Sequence, residues 1–378
     1  SHRSVRPLDA ADVWRNVLLG TGGQWKAGRE AVEKVYHQQA AGRTAAAARQ
    51  AEALTSFDGF IGSDLPKHEG EEDGPRTVSA SQLEGYAACP LRFYFQYELR
   101  LRPKETVRFD RSRWLQADER GTLLHRIFYQ YMLQISGTST PPRHDRALLE
   151  KVTNEEIAGF ARCIPAPSEH IFKKECRDIR ADVEVFYRKE LETRTLPRFF
   201  ELELSHGGKP LEIELEGGIR LRLTGFVDRI DETGPHRYRI IDYKTGSPGN
   251  YRQNAMFAAG TQLQHALYAV AAEEWLRRSG YDPRAEVRES VYYFPTRRGR
   301  GGEIVRVQQD RRLLAGVVGR LLQAMERGIY IPTKDPQICA WCDYRHVCGE
   351  HAEFTKEKRQ QPENIAILQP LLEVEQYD

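Results

Sequence analysis

The sequence lacks the features that most directly assign a chain to a membrane, to secretion or to a nucleic acid. No uninterrupted apolar run approaches the roughly 20 residues of a membrane span, so we expect no membrane role. Residues 1–30 carry charge throughout and contain no compact apolar stretch, so no signal peptide is visible and a cytoplasmic location is predicted. The net charge of +2 is too small to indicate nucleic-acid binding, which would require a local basic channel.

Cysteine is also scarce, and four of the six cysteines form a pattern. Cys89 stands alone, whereas Cys339, Cys342 and Cys348 follow some 250 residues later with the spacing C-x2-C-x5-C. In a reducing cytosol, clustered thiols indicate a metal site rather than disulfides. Four thiolates suit either tetrahedral zinc or an iron–sulfur cluster, and spacing alone does not separate these two. The remaining two are predicted to be ordinary thiols: Cys163 and Cys176.

The order of the predicted elements indicates an α/β fold. Residues 1–56 have helical spacing, and the polar stretch 62–76 is typical of a linker, which places a boundary near residue 77. Short helices are predicted to start at Ser79 or Ser81 and at Cys89-Pro90. Longer helices are predicted at 119–135, 175–192, 261–278 and 310–327, and strands at 200–204, 211–215, 219–230, 237–243 and 286–295. We therefore expect one mixed sheet flanked by helices, with an N-terminal helical extension.

Two aspartates and a lysine lie on consecutive predicted strands. Asp228 and Asp242 are separated by the turn-forming run 232–236, so a hairpin would place their carboxylates side by side. Paired carboxylates suit a hard cation such as Mg²⁺ or Mn²⁺, which can acidify a water and take up charge on a phosphate. Lys244 lies two residues beyond Asp242 and therefore points to the same face, where its ammonium could stabilise a phosphoryl transition state. The pattern suits metal-dependent phosphodiester hydrolysis.

A purely structural explanation competes with the catalytic one. Asp228 and Asp231 could flank a turn, and Lys244 could be a solvated strand end. Asp242, however, follows the apolar pair Ile240-Ile241, where an unpaired carboxylate would cost several kcal/mol without a cation or a donor.

Three further side chains could join this group. Gln264 and Tyr268 are spaced i, i+4 and so share one face of a predicted helix, from which they could touch a phosphate or the lysine. His125, inside an apolar helical stripe, could supply an imidazole to a metal, and a packed or surface histidine is the alternative.

Taken in order, these motifs resemble those of a known family. The run Ser79 to Glu84, followed by Tyr86, Cys89-Pro90 and Phe93, resembles the start of the nuclease domain of AddB-type and RecB-like helicase–nucleases, in the PD-(D/E)XK superfamily. The later motifs resemble the family's histidine motif, first carboxylate motif, D-x-K core and Q-x3-Y motif, in that order: Gly121 to His125, Gly225 to Asp231, Asp242-Tyr243-Lys244 and Gln264 to Tyr268. The resemblance covers about residues 77–350.

This resemblance implies a restriction-endonuclease-like fold and metal-dependent cleavage of DNA, with single-stranded ends as the expected substrate in DNA end processing and double-strand break repair. It implies that His125, Asp228 and Asp242 are metal ligands, with the Tyr243 carbonyl as a further ligand. Lys244 becomes the catalytic base or stabiliser, and the remaining predicted catalytic residues are Gln264 and Tyr268. Glu203 matches an acidic residue on an early strand of the family, and Glu201 is the alternative.

The family also includes a form in which one cysteine before the core and three after it hold a [4Fe–4S] cluster. Cys89, Cys339, Cys342 and Cys348 fit that pattern, so the resemblance favours a cluster over zinc, as a staple that ties the C-terminal segment to the domain. The expected domains are a helical extension and linker at 1–76, a nuclease domain at 77–350 and a tail at 351–378.

The resemblance implies two partners: DNA, as single strands or duplex ends, and a helicase motor, either in cis or as a partner subunit. Residues 20–26 are glycine-rich but lack G-x4-G-K-[ST], and no predicted strand precedes them, so we expect no ATPase within this chain. Residues 1–76 resemble the segment that links motor to nuclease in longer family members. The chain is therefore either an excised piece of a helicase–nuclease or a self-standing nuclease, and its Ser1-His2 start favours an excised or tag-cleaved origin.

Several arginines are candidates for contacts with DNA phosphates. Arg297, Arg298 and Arg300 lie in a glycine-rich loop, and Arg92 and Arg100 lie near the predicted staple; a plain solvated loop is the alternative. Two other functions remain open at this point. One is a DNA-binding module of the same fold that does not cut, and the other is a zinc-stabilised interaction subunit whose acidic pair is structural.

Overall fold

The structure is a computed structural model, and it describes residues 33–62, 74–103, 110–137, 142–251, 256–308, 310–348 and 356–377. The chain divides into two compact units. The smaller unit contains residues 1–65 and 327–368, and the larger unit contains residues 66–326 and 369–378. The helical prediction for residues 1–32 and most of the predicted linker lie outside the described residues.

Helices and strands alternate along the chain. The helices are α1 (His37–Gln50), α2 (Ala80–Ala88), α3 (Pro90–Phe93), α4 (Ala117–Ile135), α5 (Arg146–Cys163), α6 (Glu169–Glu192), α7 (Gln264–Arg278), α8 (Arg311–Glu326), α9 (Pro336–Ala340), α10 (Arg345–Cys348) and α11 (Pro362–Val374). The strands are β1 (Thr77–Ser79), β2 (Leu196–Glu203), β3 (Ser205–His206), β4 (Lys209–Leu215), β5 (Ile219–Thr224), β6 (Phe226–Gly234), β7 (Arg237–Tyr243), β8 (Glu286–Phe294) and β9 (Gly302–Val307).

The central sheet of the larger unit has the strand order β2-β6-β7-β8-β9. Neighbouring strands are antiparallel except β7 and β8, which are parallel. A parallel pair requires a crossover connection, and α7 lies in that connection and packs against both strands. The expectation of a mixed sheet flanked by helices is confirmed, but the expectation of a single sheet is wrong, because β1, β5, β4 and β3 form a second sheet.

The apolar core lies between this sheet and helices α4, α5 and α6. Ile241 and Tyr243 alternate with Asp242 along β7, so they enter this core while Asp242 faces the side of α7. Phe128 on α4 stacks on Phe186 on α6 with ring centroids 4.3 Å apart. Fully burying side chains of this size stabilises the fold by about 1.5–3 kcal/mol each. The core thus fixes β7 from one face and leaves its other face for polar residues.

The strand predicted at 219–230 is two strands that belong to two different sheets. β5 ends at Thr224 and lies in a second sheet of order β1-β5-β4-β3, whereas β6 begins at Phe226 in the central sheet. Gly225, between them, has a φ of 146°, and a Cβ there would overlap the hydroxyl of Tyr268. The prediction missed this break because buried residues continue at odd positions on both sides of Gly225.

Most predicted helices are confirmed, with instructive exceptions. The helices at 119–135, 261–278 and 310–327 correspond to α4, α7 and α8, with ends shifted by at most three residues. Helix α6 begins six residues before its predicted start, because the Ser168 hydroxyl accepts a hydrogen bond from the Ile171 N–H at 3.3 Å and caps it. Helix α5 and strand β9 were not predicted.

The segment around Cys89 also matches the sequence expectation. Ser79 caps α2 and forms a capping box with Gln82. Helix α3 starts at Pro90, and residues 94–98 continue it as one turn of π-helix. Phe93 packs edge-on against the buried Tyr86, with ring centroids 5.4 Å apart, so its aromatic group serves the core.

The smaller unit joins segments that are distant in sequence. The buried Lys358 Nζ lies 2.8 Å from Asp58 Oδ2 and also donates to the carbonyls of Ala48 and Ala53. Asn364 accepts a hydrogen bond from the Leu54 N–H at 3.0 Å. Across the described residues of both units, no helix has the length and apolar character needed to cross a membrane.

Candidate active site

The β6–β7 hairpin places Asp228 and Asp242 at the same end of two central strands. Arg229 pairs with Ile241 across the hairpin, so the next pair along is Asp228 opposite Asp242. The Tyr243 backbone N–H donates to Asp228 Oδ2 at 2.7 Å. Like charges directly opposite one another destabilise a sheet, so this arrangement calls for a compensating cation.

Lys244 and Gln264 supply the nearest polar partners of Asp242. Lys244 Nζ lies 2.5 Å from Asp242 Oδ2 and donates to Gln264 Oε1 at 3.2 Å. The amide of Gln264 in turn donates to Asp242 Oδ1 at 2.8 Å. Lys244 Nζ also lies 5.7 Å from the ring centroid of Tyr292. Gln264 therefore bridges the carboxylate and the ammonium and fixes both.

Glu84 was not predicted as a site residue, although it lies in the motif at 79–84. Its Oε1 accepts hydrogen bonds from the backbone N–H groups of Leu263 and Gln264, at 2.6 and 2.8 Å. These are among the N–H groups at the start of α7 that a helix leaves without intrahelical partners. Glu84 thus fixes the helix end that carries Gln264. The signal in the sequence was a carboxylate between the buried Leu83 and Tyr86.

Tyr268 lies one turn after Gln264 on α7 and is buried beside Gly225. Burial, together with the charges of Asp242 and Asp228, raises the pKa of Tyr268 to about 12, so its hydroxyl stays protonated at neutral pH. The predicted i, i+4 pair of Gln264 and Tyr268 is therefore brought to the acidic pair, with Gln264 in direct contact.

His125, Glu201 and Asp228 form a group that could hold a metal ion. One ligand atom from each of the three lies within 4.8 Å of the others. His125 Nδ1 is 3.6 Å from Asp228 Oδ2. An imidazole with two carboxylates suits a divalent cation such as Mg²⁺ or Mn²⁺, so the donor chemistry fits the metal expected for this site.

The structure brings Glu201, not Glu203, to this group. Glu201 has a φ of 47°, which is unusual for a residue with a side chain and indicates a local irregularity in β2. Phe200 and Leu202 pair with Arg229 and Val227, so Glu201 lies opposite Asp228. Glu203 is exposed at the strand end, and the match of Glu203 to the family's acidic residue is the weaker of the two alternatives.

Burial shifts the protonation of the site. Burial and the nearby charge of Asp242 raise the pKa of Asp228 well above its ordinary value. Burial alone would lower the pKa of Lys244, but the adjacent Asp242 carboxylate outweighs it and raises that pKa, so Lys244 stays charged. Burial lowers the pKa of His125, which favours the neutral imidazole that binds metals.

A buried ionic cluster supports the hairpin from the core side. The fully buried Arg229 contacts both carboxylate oxygens of Glu190 at 2.9 Å and Asp231 at 2.6 and 2.8 Å. It also donates to the hydroxyl of Tyr243 at 3.3 Å. The idea that Asp231 merely flanks a turn is therefore wrong, because Asp231 is a buried partner of Arg229 within β6.

A sequence profile of the PD-(D/E)XK nuclease superfamily matches residues 77–349 of the chain. The chain belongs to the PD-(D/E)XK nuclease superfamily. The mixed central sheet with its flanking helices is consistent with the restriction-endonuclease-like fold of that superfamily.

Similar curated proteins are named as the B-type subunit of an ATP-dependent helicase/deoxyribonuclease. That of Acetivibrio thermocellus is 28% identical over 219 residues, which cover 53% of this chain and 18% of the relative. That of Ruminiclostridium cellulolyticum is 27% identical over 220 residues, with the same coverage, and that of Clostridium kluyveri is 26% identical over 207 residues, covering 51% and 17%. The aligned region thus spans less than a fifth of the length of these relatives.

The four cysteines that this superfamily resemblance assigns to a cluster lie in both units. Cys89 belongs to the larger unit and caps α3, where its sulfur accepts from the Arg92 N–H at 3.5 Å. Cys339, Cys342 and Cys348 belong to the smaller unit, on or beside α9 and α10. Outside this set, Cys163 is exposed and Cys176 is buried in the core, where burial raises the pKa of its thiol.

The arginines predicted to contact DNA differ in their exposure and in their contacts with acidic residues. Arg297 is held by α6, because its guanidinium contacts Asp178 at 2.7 Å and its backbone N–H donates to Asp182 at 2.9 Å. Arg298 and Arg300 are exposed. A DNA contact for Arg298, Arg300 and Arg92 stays a prediction.

Proposed function

We propose that this chain is the nuclease part of a helicase–nuclease and hydrolyses phosphodiester bonds of DNA, at single-stranded ends, with Mg²⁺ or Mn²⁺. The observation that carries the proposal is the contact set of Asp242, Lys244 and Gln264 beside the group of His125, Glu201 and Asp228. Family membership supports a nuclease, and the names of the relatives support DNA as substrate and a helicase as partner.

In this proposal, His125, Asp228 and Asp242 hold the cation, with Glu201 as an additional ligand and the Tyr243 carbonyl beside them. The Tyr243 backbone N–H donates to Asp228 Oδ2 at 2.7 Å, which holds the Tyr243 backbone close to the group. A divalent cation, when bound, acidifies a water and offsets charge on the scissile phosphate.

Lys244 acts by its charge in this proposal. Because the Asp242 carboxylate keeps its ammonium protonated, Lys244 is poorly suited to accept a proton and well suited to stabilise negative charge that develops on the phosphate. Gln264 holds the ammonium in that position through its Oε1. We therefore assign Lys244 as an electrostatic stabiliser rather than a general base.

End-labelled single-stranded and duplex oligonucleotides test the proposal. The wild type should cleave in Mg²⁺ or Mn²⁺ and stop in excess chelator, and Asp242→Ala should abolish cleavage while DNA binding remains. Glu201→Ala should raise the concentration of Mg²⁺ or Mn²⁺ that cleavage requires. Glu203→Ala, two residues further along the same strand, is its matched control. Cleavage at the wild-type rate by Asp242→Ala would exclude this site.

We further propose that Cys89, Cys339, Cys342 and Cys348 hold a [4Fe–4S] cluster within the predicted domain 77–350. Four thiolates are the donor set that such a cluster takes. Protein purified without oxygen should be brown and contain about four irons per chain. Replacing any one of the four by Ala should remove the iron, whereas Cys163→Ala and Cys176→Ala should not. One zinc per colourless chain would exclude the cluster and leave the nuclease proposal intact.

A further inference from the structure

Besides the open cleft at His125 and Glu201, a further cavity lies beside the end of β7, the strand that carries Asp242 and is directly followed by Lys244. It has a volume of about 700 Å³, and Thr245 and Gly246, which directly follow Lys244, form part of its wall. The segment before α4, the start of α4, one face of α6 and the loop after β8 form the rest. The cavity is thus built on the same strand end as the candidate active site.

The acidic residues of this cavity are already neutralised by arginines. Arg120 contacts Asp182 at 2.6 Å and Glu175 at 3.3 Å. Arg297 contacts Asp178 at 2.7 Å. Because these carboxylates on α6 are already paired with Arg120 and Arg297, they do not neutralise the other positively charged side chains that line the cavity.

Two positively charged side chains that line the cavity remain available to a ligand. Lys174 on α6 and Arg298 in the loop after β8 are exposed, and neither forms an ion pair with any residue that the structure describes. Arg113 adds a third positive charge and is weakly engaged, 3.4 Å from the exposed Asp110. The charge of the cavity that is not neutralised by ion pairs is therefore positive, which suits binding of a polyanion.

The cavity meets the candidate active site at a contact between α4 and the end of β7. Gly121 lines the open cleft that contains His125 and Glu201, while Thr245 lines the basic cavity. A Cβ on Gly121 would lie 3.3 Å from the Thr245 hydroxyl, so Gly121 and Thr245 are in close contact, and the cleft and the cavity are neighbours on either side of this contact. A single strand bound in the cleft would reach the cavity by crossing this contact.

We propose that this cavity binds the phosphate backbone of single-stranded DNA next to the bond that is cut, through Lys174 and Arg298. Lysine and arginine side chains that track a backbone give salt-dependent binding without sequence preference. The inference rests on the proposed nuclease function, because it names the path that the substrate takes from the active site.

Lys174→Ala/Arg298→Ala tests the inference by binding and by cleavage. With a labelled 20-nucleotide single strand and no divalent cation, fluorescence anisotropy should show a Kd raised about three- to tenfold for each lost contact. The slope of log Kd against log salt should fall by about 0.7 per contact. In cleavage, KM should rise and kcat should stay unchanged.

A substrate too short to reach the cavity provides the internal control. The p-nitrophenyl ester of thymidine 5′-monophosphate should be hydrolysed equally by the wild type and by the double variant. Lys173→Ala/Arg177→Ala removes the same charge from α6 at positions that do not line the cavity, and it should leave the Kd and the salt slope unchanged.

The outcomes separate this inference from the nuclease proposal. A double variant with the wild-type Kd and salt slope, or a control variant with an equal loss, would refute the basic cavity as a DNA site even if the wild type cleaves DNA. A wild type that fails to cleave with Mg²⁺ or Mn²⁺ would refute the nuclease function, while the metal-free binding result would still decide the cavity. Unchanged circular dichroism melting would show that both double variants are folded.

Discussion

Replacing Glu190 by Ala measures how strongly the buried ionic cluster stabilises the hairpin that carries the candidate site. Glu190 accepts two hydrogen bonds of 2.9 Å from Arg229, and both side chains are almost fully buried. After the substitution, Arg229 keeps Asp231 and the hydroxyl of Tyr243, but loses one of its two direct carboxylate partners.

Removing one partner of a buried ion pair costs about 3–5 kcal/mol, because the other charge is left buried without full compensation. Because Arg229 keeps its contact with Asp231, we expect Glu190→Ala to lower the free energy of unfolding by about 3 kcal/mol, the lower end of this range. Glu192→Ala is the matched control on the same helix, since Glu192 is exposed and pairs with Lys189 at 3.4 Å. An exposed pair of this kind contributes about 0–1 kcal/mol.

Urea unfolding followed by circular dichroism checks this prediction. Since the unfolding free energy falls by about 1–3 kcal/mol per molar urea in small proteins, the midpoint of Glu190→Ala should fall by about 1 M or more. The midpoint of Glu192→Ala should remain close to that of the wild type. A difference between the two variants of less than about 1 kcal/mol would refute the view that Arg229 depends on Glu190.

Three further predictions follow from single contacts. Glu84→Ala should lower the single-turnover rate constant of cleavage about tenfold or more, because the start of α7 loses its acceptor. Glu84→Gln keeps an acceptor oxygen and should retain most activity. Equal losses in the two variants would contradict a positioning role for Glu84. Gly225→Ala should destabilise the fold far more than Gly217→Ala in thermal unfolding, because both have positive φ but only Gly225 faces the Tyr268 hydroxyl. Burial lowers the pKa of His265 to about 4, so the folded protein binds fewer protons than the unfolded chain between pH 6.5 and 4 and loses stability as the pH falls. Between pH 7 and 5 this loss is on the order of 2 kcal/mol, and His265→Gln should remove it from the measured unfolding free energies.

The sequence by itself was enough for the parts of the site that are close along the chain. Asp228 and Asp242 lie on two strands joined by a short turn, and Lys244 directly follows the second strand, so strand alternation indicates which side chains share a face. The start of α2 was predictable in the same way, because Ser79 and Gln82 make their contacts within one helical turn.

Only the tertiary structure decided the contacts that depend on backbone irregularities or on distant segments. Glu201 rather than Glu203 lies next to Asp228 because of the register between β2 and β6, and the chain changes sheet at Gly225, which has a positive φ. Regular alternation continues past such positions in the sequence, so a pattern of period two cannot reveal them.

The partners of charged residues were likewise invisible in the sequence. Glu84 binds the start of a helix that lies 179 residues further along the chain, and Arg297 is held by acidic residues of α6. A charge in a sequence shows neither its burial nor its counterion, because both are set by which elements pack together. The contact between the two aspartates and the lysine was thus predictable from neighbouring strands, whereas the residues that support them and the cavity beside them were decided by the fold.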